Sequence, residues 1–167
     1  MQLRPLLPED QPHMVRMLTD KMIAKTFMLP VFSDSKEAET LFRRMMDLSN
    51  DSQRYVRGIC EAGQLVGFLN ETEVQEDTIE LGYVVDSAHH GKGYMTCALK
   101  LAMEELFAIG FRRVVTGAFS GNLASIRVME KCGMHRLEKT ETVAYRGENH
   151  LCVFYAMDRE EMKHAAV

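Results

Sequence analysis

The chain has 167 residues, enough for about one domain with a single sizeable core. It is 46% hydrophobic and 26% charged, with 11 Gly and 4 Pro, which excludes disordered, collagenous and low-complexity classes. Its 20 Lys and Arg against 24 Asp and Glu leave a net charge of −4. That balance lacks the basic face of a general nucleic-acid binder, so any anionic ligand has to be held by local geometry.

Gln2 to Leu6 reads as a first strand. Pro8-Glu9-Asp10 then suits the first turn of a helix, whose apolar side is Met14, Val15, Met17 and Leu18. Asp34, with Glu37 three residues on, is a start of the capping-box kind, followed at helical spacing by Ala38, Leu41, Phe42, Met45 and Met46. The period then changes. Tyr55 to Cys60, the turn Ala62-Gly63-Gln64 and Leu65 to Leu69 predict a hairpin. A polar turn, Gln75-Glu76-Asp77, leads into the strand Thr78 to Val85, whose last residues are continuously apolar.

Gly91 and Gly93 precede a long helix in which Met95, Ala98, Leu99, Ala102, Met103, Leu106 and Phe107 form one apolar stripe, stopped at Gly110. Arg112 to Ala118 predicts a strand, and Asn122 caps a shorter helix running to Cys132 and ended by Gly133. Two last strands, Met134 to Val143 and Leu151 to Met157, flank the turn Arg146-Gly147-Glu148. The order gives an α/β fold with a mixed sheet, because a doubly wound sheet would alternate strand and helix from the start.

Cys60, Cys97, Cys132 and Cys152 show no CxxC spacing, which predicts reduced thiols rather than a zinc site or a disulfide framework. No secretory leader and no apolar run of membrane-spanning length is visible, so a cytoplasmic protein with no membrane association is expected. No metal-ligand set is expected either.

The chemistry is concentrated in Val84-Val85-Asp86-Ser87-Ala88-His89-His90-Gly91-Lys92-Gly93-Tyr94-Met95-Thr96. This is a buried strand, a tight glycine loop and the first turn of a helix. Such a loop aims several N–H groups and the helix dipole at one spot, and Lys92 adds a cation. The glycines leave the backbone open to a phosphate, although a plain tight turn would use the same residues. A Walker A loop is excluded because Tyr94 follows Gly91-Lys92-Gly93. A dinucleotide fingerprint is excluded because position 96 is Thr and the strand is not the first. A pyrophosphate such as that of coenzyme A remains.

The second segment is Asn122-Leu123-Ala124-Ser125-Ile126-Arg127-Val128-Met129-Glu130-Lys131-Cys132-Gly133-Met134. Together the two resemble the GNAT superfamily of N-acetyltransferases, with its R/Q-x-x-G-x-G/A loop and its N-x-x-S-x-x-[VL]-x-E-K-x-G-[FM] helix. Glu80-Leu81-Gly82-Tyr83, Gly91 to Tyr94, Asn122 to Gly133 and the ending Phe154 to Glu161 are similar to the ribosomal-protein N-terminal (RimJ/RimL-type) branch. The resemblance covers about Gln2 to Glu161.

It implies one acetyltransferase domain over 1–161 with a tail at 162–167. The implied fold is a mostly antiparallel sheet of about seven strands, with helices on both faces and a splayed fourth and fifth strand pair. His90, Gly91, Lys92, Gly93, Tyr94, Met95 and Thr96 would hold the diphosphate of acetyl-CoA. The backbone of Tyr83, Val84 and Val85 would pair with the pantetheine arm, and one N–H there would polarise the thioester carbonyl. Asn122 and Ser125 would meet the coenzyme from the facing helix.

Two positions depart from the pattern. Ala88 stands where the loop usually opens with Arg or Gln, and His89 or His90 is the candidate replacement. Met129 stands where many members carry a Tyr that protonates the departing thiolate, which makes Ser125 the nearest hydroxyl, with Tyr145 and Tyr155 as alternatives. Glu80 matches the glutamate that takes the proton from the amine. If β alternation is regular, Glu80, Gly82 and Val84 share a face.

Glu71, Glu73, Glu76, Asp77 and Glu80 carry no intervening Lys or Arg, reading either as a solvated hairpin or as an acidic mouth for a cationic acceptor. The methionines at 14, 17, 22, 28, 45 and 46 read mainly as packing residues. The expected activity is direct transfer of acetyl from acetyl-CoA to a primary amine, either a peptide N-terminus or a small molecule. A non-catalytic coenzyme-A-binding module and a nucleotide-binding protein are the alternatives. The acceptor, the preferred acyl group and a homodimeric state stay open.

Overall fold

Two tight turns shape the first and last hairpins. Ala62 and Gly63 have φ of +50° and +81°, and Arg146 and Gly147 have +52° and +80°, the handedness that matches the twist of paired strands. In the computed structural model, which describes residues 1–165, seven strands form one sheet in the order β1-β2-β3-β4-β5-β7-β6. They are β1 (Gln2–Arg4), β2 (Val56–Glu61), β3 (Gln64–Gln75), β4 (Thr78–Val85), β5 (Arg113–Phe119), β6 (His135–Tyr145) and β7 (Glu148–Asp158). The helices are α1 (Gln11–Leu18), α2 (Ser35–Ser49), α3 (Tyr94–Ala108), α4 (Leu123–Lys131) and α5 (Arg159–Ala165).

The β1–β2, β2–β3, β5–β7 and β6–β7 pairs are antiparallel, and β4–β5 is parallel. This is the mixed, mostly antiparallel sheet expected. The expected tail at 162–167 begins inside α5, and residues 166–167 lie outside the described residues. Among the described residues no helix is long and apolar enough to cross a membrane.

The described chain separates into two compact units, Met1–Glu71 with Tyr83–Ala98, and Thr72–Gly82 with Leu99 onward. In the first, Met14, Met17 and Leu18 of α1 and Ala38, Phe42 and Met45 of α2 pack with Val56, Cys60, Leu65, Phe68 and Val84. Burying each of the Met, Leu, Phe and Val side chains among these contributes about 1.5–3 kcal/mol. The alternate strand residues Ile59 and Leu69 are equally buried, so both faces of these strands are covered. Asp34 caps α2 by accepting the Glu37 N–H at 3.1 Å. The Glu37 carboxylate reaches back to the Ser33 N–H at 2.7 Å, closing the box one residue earlier than the sequence pattern implies. Four of the six early methionines pack as expected, while Met22 and Met28 are 61% and 54% exposed.

In the second unit, Val115, Phe119, Cys152, Phe154 and Ala156 form an apolar face over β5 and β7, joined by Leu137, Val143 and Tyr145. A Cβ on Gly117 would lie 2.8 Å from the Phe154 ring, so the bare backbone there makes room for that ring. Cys60, Cys132 and Cys152 are buried, Cys97 is exposed, and all four are free thiols.

Candidate active site

The glycine loop lies in the first unit. β4 ends at Val85, and Asp86, only 4% exposed, caps a 3-10 turn over Ser87–His89 by accepting the Ala88 N–H at 3.1 Å. His90, Gly91, Lys92 and Gly93 are exposed, Tyr94 and Thr96 are half-buried, and Met95 is buried at the start of α3. Gly91 and Gly93 have φ of +75° and +79°, and a Cβ on either would meet nothing within 4 Å. Conformation, and not crowding, therefore demands glycine there.

The first turn of an α-helix leaves N–H groups without intrahelical acceptors, and its dipole adds partial positive charge. The His90 N–H donates to the Ser87 carbonyl at 3.3 Å, and the open backbone that suits a diphosphate begins at Gly91. The His90 ring lies with Nε2 2.9 Å from the Val85 carbonyl, which ties the loop back to β4. The His89 ring faces Tyr94 at 5.9 Å between centroids.

β5 flanks only the first part of β4. The parallel ladder pairs Thr78–Leu81 with Arg113–Thr116, and the following residues of β4 are outside it. The burial rhythm, Ile79 and Leu81 and then Val84, departs from period two at Gly82–Tyr83. On the β3 side the approach is close: the Asp86 N–H donates to the Val66 carbonyl at 2.9 Å. A Cβ on Gly67 would lie 2.4 Å from the Val84 carbonyl.

Glu80, Asn122 and Ser125 lie in the second unit. Glu80 is half-buried, and the Thr72 hydroxyl donates to its Oε1 at 3.1 Å. Burial pushes the Glu80 carboxyl above the ordinary glutamate range, and Glu73 and Glu141 add to it; the Thr72 hydrogen bond and Lys139 only partly offset this. Lys139 itself pairs with Glu141 at 2.9 Å and sits 4.4 Å above the Phe154 ring.

Asn122 caps α4 by accepting the Ser125 N–H at 3.2 Å. Replacing it with Ala should cost about 1 kcal/mol, a fall of roughly 2–4 °C in melting temperature for a chain of this size. Calorimetric melting checks this, and an unchanged transition would deny the cap its role. Met129 is fully buried. The Tyr155 hydroxyl lies 3.5 Å from Glu130 Oε1, and the Tyr145 hydroxyl accepts from Arg146 Nε at 2.8 Å.

The acidic run is less bare than its sequence. Glu71 is held by Arg54 and by the Tyr55 N–H, and Asp77 lies 3.8 Å from Arg112. These cations come from outside the run, which a local charge count misses. His135, Asp158 and Glu161 bring one ligand atom each within 4.8 Å of one another, with Asp158 also gripped by Arg113 at 2.7 and 2.8 Å.

The site is thus framed by a mixed sheet with one parallel pair and a loop with two left-handed glycines that opens α3. The family profile of the acetyltransferase (GNAT) domain matches residues 1–135, and the chain belongs to that family. The probable N-acetyltransferase YjcK of Bacillus subtilis (strain 168) is 33% identical over 90 residues, 50% of this chain and 50% of that protein. The match thus spans half the length of that curated relative.

An acetyltransferase (GNAT family) from Bacillus anthracis superposes with a TM-score of 0.81 at 22% identity, over 95% of both chains. RimL, a ribosomal L7/L12 alpha-N-protein acetyltransferase in complex with coenzyme A, gives 0.82 at 18% identity, over 95% of this chain and 94% of that one. At these identities the likeness is one of fold.

Proposed function

We propose that this chain is an acetyl-CoA-dependent N-acetyltransferase that acts on a primary amine. The observation that carries the reading is the exposed turn with Gly91 and Gly93 in left-handed conformation, which opens α3 after β4. In this reading the backbone from His90 to Thr96 binds the coenzyme diphosphate, with Lys92 adding charge. The backbone of Tyr83, Val84 and Val85, beyond the β5 ladder, supports the pantetheine arm, and an N–H there donates to the thioester carbonyl.

Asn122 and Ser125 contact the coenzyme, and the Ser125 hydroxyl supplies the proton to the leaving thiolate. Glu80 takes the proton from the attacking amine, a role that its raised pKa favours because it makes the carboxylate a stronger base. The acceptor is a peptide N-terminus or a small amine, and the carboxylates of the β3–β4 hairpin favour a cationic one. Residues 1–161 act as one catalytic domain.

A ligand bound only by the folded state stabilises it by mass action, about 2.7 kcal/mol at a hundred times Kd. Saturating acetyl-CoA should therefore raise the melting temperature by roughly 5–10 °C. ATP and NAD at equal concentration should leave it unchanged. A shift with either nucleotide that acetyl-CoA cannot compete away would favour a nucleotide-binding protein instead. Met129, buried where a tyrosine acid would stand, favours a second reading, a coenzyme-A-binding module without turnover.

A further inference from the structure

Asp86 joins β4 to the glycine loop, and every one of its polar groups is engaged. Its N–H donates to the Val66 carbonyl at 2.9 Å and its carbonyl accepts the His89 N–H at 2.8 Å. Oδ1 accepts the Ala88 N–H at 3.1 Å, while Oδ2 accepts from the Arg16 guanidinium on α1. The His89 ring lies on the same side, its Nδ1 4.0 Å from Oδ2. Burial alone would raise the Asp86 carboxyl pKa, but the Ala88 N–H and Arg16 outweigh it and hold the group below the ordinary range. The next residue makes a parallel tie: Ser87 Oγ donates to Asp20 Oδ2 at 3.0 Å, and Asp20 Oδ1 accepts the Met22 N–H at 2.7 Å.

This arrangement is more than a loop needs in order to turn. A buried carboxylate is costly unless it is paired, and a neutral cap would have served the 3-10 turn alone. Arg16 is 55% exposed, so core packing does not fix it; its guanidinium closes a contact 70 positions along the chain. Asp86 also lies four residues before His90, where the backbone proposed to receive the diphosphate begins. Left unpaired, its negative charge would repel that anion. Paired with Arg16, it orders the turn without that repulsion.

We infer that Arg16 and Asp86 are positioning residues for the coenzyme loop, and that with the Ser87–Asp20 tie they link the loop to residues 20–34. The inference rests on the reading of the loop as the acetyl-CoA diphosphate site. Binding of acetyl-CoA then steadies residues 20–34 as well as the loop. That segment carries Met22, Met28 and Val31, which are 61%, 54% and 75% exposed.

Isothermal titration with acetyl-CoA gives the sign that separates positioning from plain structural support. Arg16→Met should weaken binding about tenfold, because it leaves the carboxylate charge uncompensated beside the anion. Arg16→Lys should recover much of the loss. Adding Asp86→Asn to Arg16→Met removes the repelling charge and keeps an acceptor for the Ala88 N–H, so the double variant should bind tighter than Arg16→Met alone. Purely structural ties would make the double variant bind no better. In hydrogen exchange, acetyl-CoA should slow the amides of 20–34 in the wild type, and not in the Arg16→Met, Ser87→Ala variant.

Arg16→Met that melts lower yet binds acetyl-CoA with wild-type affinity would overturn the inference and leave the loop assignment intact. Equal slowing of the amides of 20–34 in wild type and variant would overturn the link to that segment. Wild-type protein that binds no acetyl-CoA would overturn the loop assignment, and this inference with it.

Discussion

Gly91→Glu should remove most of the rise in melting temperature with acetyl-CoA and, with it, the coenzyme-dependent activity. Two effects act at this position, and their sizes differ. Any side chain at φ of +75° costs about 1 kcal/mol of stability. That lowers the melting temperature by a few degrees but leaves the fold. The carboxylate adds a negative charge among the donors proposed for the diphosphate, where like charges a few ångströms apart cost several kcal/mol at the effective dielectric of a protein surface.

Binding should weaken by more than a hundredfold. Gly91→Ala separates the two contributions, since it carries the strain without the charge. It should melt lower than the wild type and still respond to acetyl-CoA. A Gly91→Glu variant that keeps the full thermal response would place the diphosphate elsewhere.

Glu80→Gln is expected to slow turnover about a hundredfold at neutral pH, within the range of a lost general base. The amide keeps the oxygen that accepts from Thr72, so the local geometry survives while the proton acceptor is lost. The loss should shrink at alkaline pH, where the amine acceptor is already neutral. Acetyl-CoA affinity should not change.

The pH dependence of stability carries a second signature. The Glu80 pKa is raised in the folded state, so folding favours its protonated form. That contribution is fully present below the ordinary glutamate pKa and is lost as pH rises through the folded value. Glu80→Gln does not titrate, so its melting temperature should exceed that of the wild type at neutral pH, with the margin narrowing in acid. An unchanged pH–rate profile together with weaker coenzyme binding would make Glu80 a structural residue.

Elements with a clean period or a strong local signal were legible. The α3 stripe, the Asn122 cap and the two glycine-bearing hairpin turns follow from spacing and turn chemistry alone. The polar half of β3 was not legible. Leu65 to Leu69 shows an apolar run, but Asn70 to Gln75 is mostly polar and exposed, and only a neighbouring strand makes it extended. β7 starts at Glu148 and not at Leu151 for the same reason: pairing with β6 in the hairpin carries polar residues into the ladder.

For the candidate site, the glycine loop was legible because its left-handed backbone at Gly91 and Gly93 is a conformation that glycine reports. The partners of its charges were not. Arg16 with Asp86, Arg54 with Glu71 and Arg112 with Asp77 join residues that only the folded chain brings together. Windowed charge counting therefore overstates the bareness of the acidic hairpin and misses the buried carboxylate at the loop.

Transfer of acetyl to nitrogen is open to one direct measurement. The protein is incubated with acetyl-CoA and a panel of primary amines comprising N-terminal peptides, polyamines and amino acids. Free thiol and acetylated products are quantified together by absorbance and mass spectrometry. At least one amine should gain an acetyl group on nitrogen, with one thiol released per product, and Gly91→Glu should show no transfer. Stoichiometric binding of acetyl-CoA with no thiol release and no acetylated product across the panel would contradict acetyl transfer, and would assign the chain to coenzyme binding without catalysis.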